Sequence, residues 1–218
     1  MKSTRSIRII TSLSIAIVLT SSVSSFGLGR ISDSIARIDV FKSVDNRPEK
    51  ISKAEIYLVV GSDNRAGLTK QQIRELRVGS TAVAAGGRSD TMLLIHLSKS
   101  RGRASIISLP RDSLVTIPEH PSSLNKEVIV SARPGKLNSA FAYGGAPLLI
   151  ETIELATAVK IDHYVEVNFA GFAEIVDALG GVEVCTNVDI DDSKSRLVLS
   201  AGVHTLNGIE ALKYVRAR

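Results

Sequence analysis

The sequence predicts an α/β fold, one mixed sheet covered by helices, and three observations carry that prediction. Ile56-Tyr57-Leu58-Val59-Val60, Thr91 to Leu97 and Ala104 to Leu109 are apolar runs of strand length, the form taken by strands buried on both faces. Ser98-Lys99-Ser100-Arg101-Gly102-Arg103 reads as a hairpin turn between the second and third runs. The second half of the chain then alternates segments of helical and strand period. No internal repeat is present.

Taken in order, the chain opens with Lys2, Arg5 and Arg8, followed by an uncharged stretch from Ile9 to Gly29. Its 21 residues match the roughly 20 that cross a bilayer core. Hydroxyl side chains dilute it, and the strongly apolar centre is only Ile15 to Leu19, so a cleaved signal peptide competes with an uncleaved anchor. No Ala-x-Ala site follows that centre, which favours the anchor. Cations before the span place the N-terminus inside the cytoplasmic membrane and the rest on its outer face. Residues 30–54 are charged, lack strong periodicity and read as a stalk, so 55–218 is the expected domain.

Within that domain, Asn64 to Gly87 is polar, then small and Gly-rich, and reads as a mobile loop. Gly144-Gly145-Ala146-Pro147 breaks the chain and puts Pro147 in the first turn of a helix running to about Val159. His163 to Phe169 is a strand with Val165, Val167 and Phe169 on one face. Asn168 caps a helix with apolar positions 169, 172, 175, 176 and 179, ended by Gly180-Gly181. Val182 to Val188 alternates as a half-buried strand. Asn207-Gly208-Ile209-Glu210 has the form of a capping box for a last helix.

The net charge of +5 is unevenly spread. Residues 1–54 carry nine Lys/Arg against four Asp/Glu, and 55–218 carry eighteen of each. The domain therefore lacks the basic field of a nucleic-acid binder, and no nucleic-acid partner is expected. The single cysteine, Cys185, allows neither an intrachain disulfide nor a thiolate zinc cluster. The four histidines show no metal spacing, and there is no Walker loop and no Gly-x-Ser-x-Gly elbow.

Charged residues at the ends of the apolar runs form the candidate site. Asp63 follows the first run, Arg88 and Asp90 precede the second, and Arg111 and Asp112 follow the third. If runs two and three form an antiparallel hairpin, and run one lies antiparallel to run two, all three ends meet on one sheet edge. Neighbouring strands are about 5 Å apart, close enough for a shared metal or phosphate. Paired carboxylates with phosphate oxygens suit Mg2+, and arginine presents a planar fork to phosphate. Lys136, after a Pro/Gly loop, adds a candidate cation. Arg216 and Arg218 are two residues apart, on nearly opposite sides of a helix, so both reach one anion only if the helix ends near Val215 or the ligand lies across its end.

Six motifs in order, Val-Gly-Ser-Asp, Gly-Arg-Ser-Asp-Thr-Met, Ser-Leu-Pro-Arg-Asp-Ser, Lys-Leu-Asn-Ser-Ala-Phe-Ala-Tyr-Gly-Gly, Leu-Gly-Gly-Val-Glu-Val and Ala-Leu-Lys-Tyr-Val-Arg-Ala-Arg, resemble the LytR-CpsA-Psr family of cell-envelope proteins from about residue 55 onward. The resemblance implies a three-layer α/β/α domain outside the cytoplasmic membrane. It also implies transfer of a glycopolymer phosphate from a polyprenyl-pyrophosphate carrier to a peptidoglycan hydroxyl. By motif match Asp63 and Asp90 hold Mg2+ or Mn2+, while Arg88, Arg111, Lys136, Arg216 and Arg218 clamp the pyrophosphate. Asp112 holds a cation or orients Arg111. Two alternatives stay open: a non-catalytic lipid-binding or regulatory module, and hydrolysis of the same carrier. In the family the Tyr-Val-Arg-x-Arg segment continues into further Asp, Arg and Gln residues. The sequence ends at Arg218, so weakened or absent activity is expected of this polypeptide.

Overall fold

A computed structural model describes residues 37–45, 47–78, 89–100 and 102–217. The expected membrane segment, Arg88 and Arg218 lie outside the described residues. The chain divides into two compact units, Met1–Asp39 and Val40–Arg218, and every element named here belongs to the second.

The apolar runs form strands β1 (Glu55–Ser62), β2 (Ser89–Leu97) and β3 (Ala104–Ser108). With β8 (His163–Val167) they make a four-stranded sheet in the order β3-β2-β1-β8. β2 is antiparallel to both β1 and β3, and β8 is parallel to β1, so the sheet is mixed as predicted. The hairpin turn closes through a bond from the Ser98 N–H to the Arg103 carbonyl, 3.0 Å. One register shift interrupts the β1–β2 ladder, between Gly61 and Ser62.

The prediction that these strands are buried on both faces needs correction. Leu58, Val60, Met92 and Leu94 are buried against helix α2 (Leu137–Thr157), whose Leu149, Ile150 and Ile153 fill the same core. On the opposite face Tyr57, Val59, Leu93 and Ile95 are only half-buried. β3 is exposed along its whole length, with Ile106 and Ile107 facing solvent, because it is the edge strand. α2 also begins ten residues earlier than expected. Gly145 interrupts it with φ 65 and ψ −154, a backbone conformation open to glycine, so Pro147 does open a helical segment, but a second one precedes it.

Two further differences bear on the predicted organisation. Asn64 to Gly87 is not simply a loop, since Lys70–Leu76 forms helix α1. Thr69 caps it, accepting from Gln72 N while the Gln72 side chain returns to Thr69 N, and Leu76 is fully buried. Within the expected stalk, Val40, Val44 and Ala54 are buried, the first two in the main core. Arg47 donates to the carboxylate of Glu154 at 2.7 and 3.1 Å and also to the Ile161 carbonyl, while Ile161 N–H donates to Glu154 at 2.7 Å. The strap from residue 40 to 54 is thereby fastened to the end of α2.

Two short antiparallel ladders follow β3: β4 (Leu114–Ile117) with β7 (Arg133–Lys136), and β5 (His120–Pro121) with β6 (Ile129–Val130). Helix α3 (Phe169–Ala178) carries the predicted Asn168 cap, and α4 (Gly208–Arg216) the predicted capping box. Beside them lie two ladders, β9 (Val182–Thr186) with β12 (Gly202–Leu206), and β10 (Ile190–Asp192) with β11 (Leu197–Leu199). Leu76, Val78 and Leu212 form a second apolar cluster with Phe169 and Phe172, which ties α1, α3 and α4 together.

Candidate functional site

The pairing that mixes the sheet also gathers its charged ends. β1 and β3 finish at the edge where β2 starts, and β8 finishes there as well. The register shift at Gly61/Ser62 falls at this edge, pairing Ser62 with Ser89 and placing Asp63 one residue beyond. Such irregularities re-aim the residues next to them. Ser62 and Ser89 are buried, so Asp63 and Asp90 follow from fixed backbone.

Arg111 and Asp112 occupy the turn after β3. Leu109 N–H still bonds to the Met92 carbonyl at 2.8 Å, and Ser113 N–H closes the turn on the Pro110 carbonyl at 3.0 Å. The start of α2 then grips the turn. Leu137 N–H donates to the Ser113 carbonyl, 2.9 Å, and Asn138 N–H to the Arg111 carbonyl, 3.0 Å. Lys136 arrives at the same place because it closes β7, opposite Leu114 of β4.

The side chains form a chain of alternating charge. Arg111 Nη1 donates to Asp90 Oδ1 at 2.7 Å, its Nε lies 3.6 Å from Asp112 Oδ2, and Lys136 Nζ donates to Asp112 Oδ1 at 2.8 Å. The hydrogen bond to Asp90 raises the Arg111 pKa, and the bond from Lys136 lowers that of Asp112. All four side chains are about half exposed or more, so these pairs are weakly held and exchangeable. Four of the predicted residues, Asp90, Arg111, Asp112 and Lys136, therefore do meet. Asp63 stands on the neighbouring strand end.

Arg216 does not join that chain. Its Nη1 donates to the Leu76 carbonyl at 2.6 Å and its guanidinium lies 5.7 Å from the centre of the Phe169 ring. Burial lowers its pKa, and the nearby Arg65 lowers it further against the pull of Asp192. α4 ends at Arg216, one residue past the expected Val215, and Ala217 is extended. Arg65, which the sequence motifs do not single out, lies two residues after Asp63, in a loop held to α3 by the Asn168 Nδ2 bond to the Ala66 carbonyl, 3.1 Å.

Among the described residues no group of three or more His, Cys, Asp or Glu side chains is arranged to hold a metal ion. Two aspartates on adjacent strand ends nonetheless fit an ion that takes one or two carboxylates and completes its shell with phosphate and water. A groove of about 540 Å³ opens beside the end of α4, lined by Asp189, Ile190, Asp191, Asp192, Tyr214 and Ala217. Its three carboxylates repel an anion, so the sheet edge is the better phosphate site.

Known proteins resemble this chain in sequence and fold. The sequence matches the LytR_cpsA_psr family over residues 28–218. It is 38% identical over 162 residues to the probable cell wall biosynthesis protein LcpB of Corynebacterium glutamicum, covering 74% of this chain and 36% of that protein. It is 32% identical over 197 residues to the polyisoprenyl-teichoic acid–peptidoglycan teichoic acid transferase TagT of Bacillus subtilis, covering 88% and 52%. The fold superposes on the family protein YwtF (TagT) with bound octaprenyl pyrophosphate lipid, with a TM-score of 0.54 and 29% identity over 84% of this chain and 61% of that one. The chain thus spans about a third to a half of the length of these two curated relatives. The chain belongs to the LytR_cpsA_psr family.

Proposed function

We propose that this chain serves the transfer of a glycopolymer from a polyprenyl-pyrophosphate carrier to a hydroxyl of peptidoglycan. The observation that carries the proposal is the Asp90-Arg111-Asp112-Lys136 chain at a sheet edge, with Asp63 on the adjacent strand end. Relatives named as teichoic acid transferases, and one solved with octaprenyl pyrophosphate, support the substrate class.

In chemical terms the acceptor hydroxyl oxygen attacks the phosphorus that carries the sugar. A P–O bond forms, the P–O bond to the second phosphate breaks, and polyprenyl phosphate departs while the hydroxyl proton passes to a base. Little covalent work falls to the protein, and positioning with charge stabilisation dominates. A bound Mg2+ or Mn2+ would supply charge neutralisation at the phosphates, with Asp63 and Asp90 as its holders. Arg111, exchanging Asp90 for phosphate oxygens, fixes the group with a two-pronged hydrogen bond. Lys136 adds a point charge, and Asp112 keeps Arg111 and Lys136 side by side. Arg216, held in the structure by the Leu76 carbonyl, joins Arg88 and Arg218 in the clamp by motif alone.

Residues 1–29 anchor the chain with its N-terminus inside and the domain on the outer face of the cytoplasmic membrane. The half-buried face of the sheet is the seat of the outer layer in an α/β/α sandwich.

The test incubates the protein with a polyprenyl-pyrophosphate oligosaccharide, Mg2+ and peptidoglycan, and follows the sugar phosphate. Its appearance on peptidoglycan supports transfer, and its release into solution would mean hydrolysis. Failure to bind the carrier at all, in the presence of Mg2+, would sink the proposal.

A further inference from the structure

At the opposite edge of the sheet, the turn and chain segments that bring in and join the strands collect cations. β1 begins there at Glu55, paired with Leu97 at the end of β2, and Leu97 pairs with Ala104 at the start of β3. β8 begins there too, since Tyr57 faces His163. Lys99 and Arg103 lie in the β2–β3 turn, Lys53 lies just before β1, and Lys160 lies just before β8. The row spans three strand spacings, about 15 Å.

The acids at this end are largely engaged. Lys50 Nζ lies 2.9 Å from Asp162 and 3.6 Å from Glu55, and His163 Nε2 is 3.0 Å from Glu55. Asp162 also accepts the Ile56 N–H at 2.9 Å, while Glu49 is an exposed acid beside Lys50, and Asp45 and Glu151 lie near each other by the clasp with no ion pair to a described residue, set back from the four cations by the length of the strap. By contrast Lys53, Lys99, Arg103 and Lys160 have no ion pair with any described residue. Residues 55–218 are neutral overall, so this is a local segregation of charge rather than a basic protein. Among the cations, in Lys50-Ile51-Ser52-Lys53, Ile51 is 90% exposed.

We infer that this edge docks on an anionic lipid surface, with Ile51 entering the headgroup layer and the four unpaired cations facing lipid phosphates. An apolar tip ringed by Lys and Arg is the combination that binds such surfaces, and juxtamembrane cations act there additively. The inference rests on the proposed membrane anchor. Residues 30 to 39 alone would separate that segment from Val40, and ten residues reach at most about 35 Å. The Arg47–Glu154 clasp then holds the following strap, and Ile51 with it, against the domain.

The full chain is inserted into lipid nanodiscs after Cys185→Ser and Ile51→Cys, with a fluorophore at position 51 and quencher-bearing lipids. Discs of phosphatidylcholine alone are compared with discs containing phosphatidylglycerol. Quenching is expected to be several-fold stronger in the anionic discs, to fall in high salt, and to drop to the neutral level when Lys53, Lys99 and Arg103 are changed to Glu. No quenching in either disc, or equal quenching insensitive to salt and to charge reversal, overturns the inference. A chain that does not insert at all refutes the anchor instead. Cosedimentation of that same chain with phosphatidylglycerol vesicles then decides the docking: salt-sensitive binding that the three reversals abolish supports it, and no binding overturns it.

Discussion

Replacing Arg47 by Met is expected to destabilise the domain by roughly 3 kcal/mol at neutral pH. The Glu154 side chain is 2% exposed, and Arg47 provides two of its hydrogen bonds, with Ile161 N–H providing the third. Removing the guanidinium strands a buried carboxylate, which costs about 3–5 kcal/mol. Urea denaturation of both proteins at pH 7 measures the difference, and the matching Tm deficit is about 6–12 °C. A loss below about 1 kcal/mol, the range of an exposed pair, would refute the role given to the clasp.

Arg111→Ala should lower transfer by at least about 100-fold while shifting Tm little, because its ion pairs are exposed; Arg111→Lys should recover little, since the planar fork is lost. A broad loss of folding in circular dichroism would show that the turn needs the side chain. Gly208→Ala places a Cβ 2.2 Å from the Ala173 carbonyl oxygen, so α3 and α4 must separate, and a thermal melt should show at least about 2 kcal/mol of destabilisation. Asn168→Ala removes both the α3 cap and the bond to Ala66, costing about 1–2 kcal/mol in denaturant titration. Burial pushes the Asp162 carboxyl up, but the bonds from Lys50 and Ile56 N–H outweigh it and leave the pKa lowered. Its contribution to stability is therefore present above the ordinary carboxylate range and lost as the pH falls through its folded value. Asp162→Asn should flatten the fall of Tm below pH 4, and an unchanged profile would count against that pair.

The sheet and its charged edge were legible because short-range signals fixed them. The apolar runs located β1, β2 and β3, and the six-residue turn forced the β2–β3 hairpin, so Asp90 and Arg111 had to meet. Lys136 could be named but not placed, because its approach depends on β4 pairing with β7 across 22 residues. α1 is hard to see in the sequence although Thr69 and Gln72 carry the spacing of a capping box, since the Gly-rich remainder of that stretch reads as loop. The early start of α2 was hidden by Gly144-Gly145, which reads as a break but in the fold is a kink between two helical segments. The clasp was out of reach: Arg47 and Glu154 are 107 residues apart, and nothing local marks either as a partner. The difference between the two sheet faces was equally invisible, because an apolar run shows the capacity to be buried and not which of its side chains are buried most deeply.

The Asp90–Arg111 and Asp112–Lys136 pairs also act as placeholders. Each cation already has an anion, so a lone phosphate entering the edge must evict a carboxylate and gains only the difference between two similar contacts. On the proposed function, a diphosphate would offer Arg111 and Lys136 two phosphate groups at once, and a divalent cation held by Asp63 and Asp90 would take up the carboxylate that Arg111 releases. Resting charge balance would then favour a diphosphate carrier head over a monophosphate.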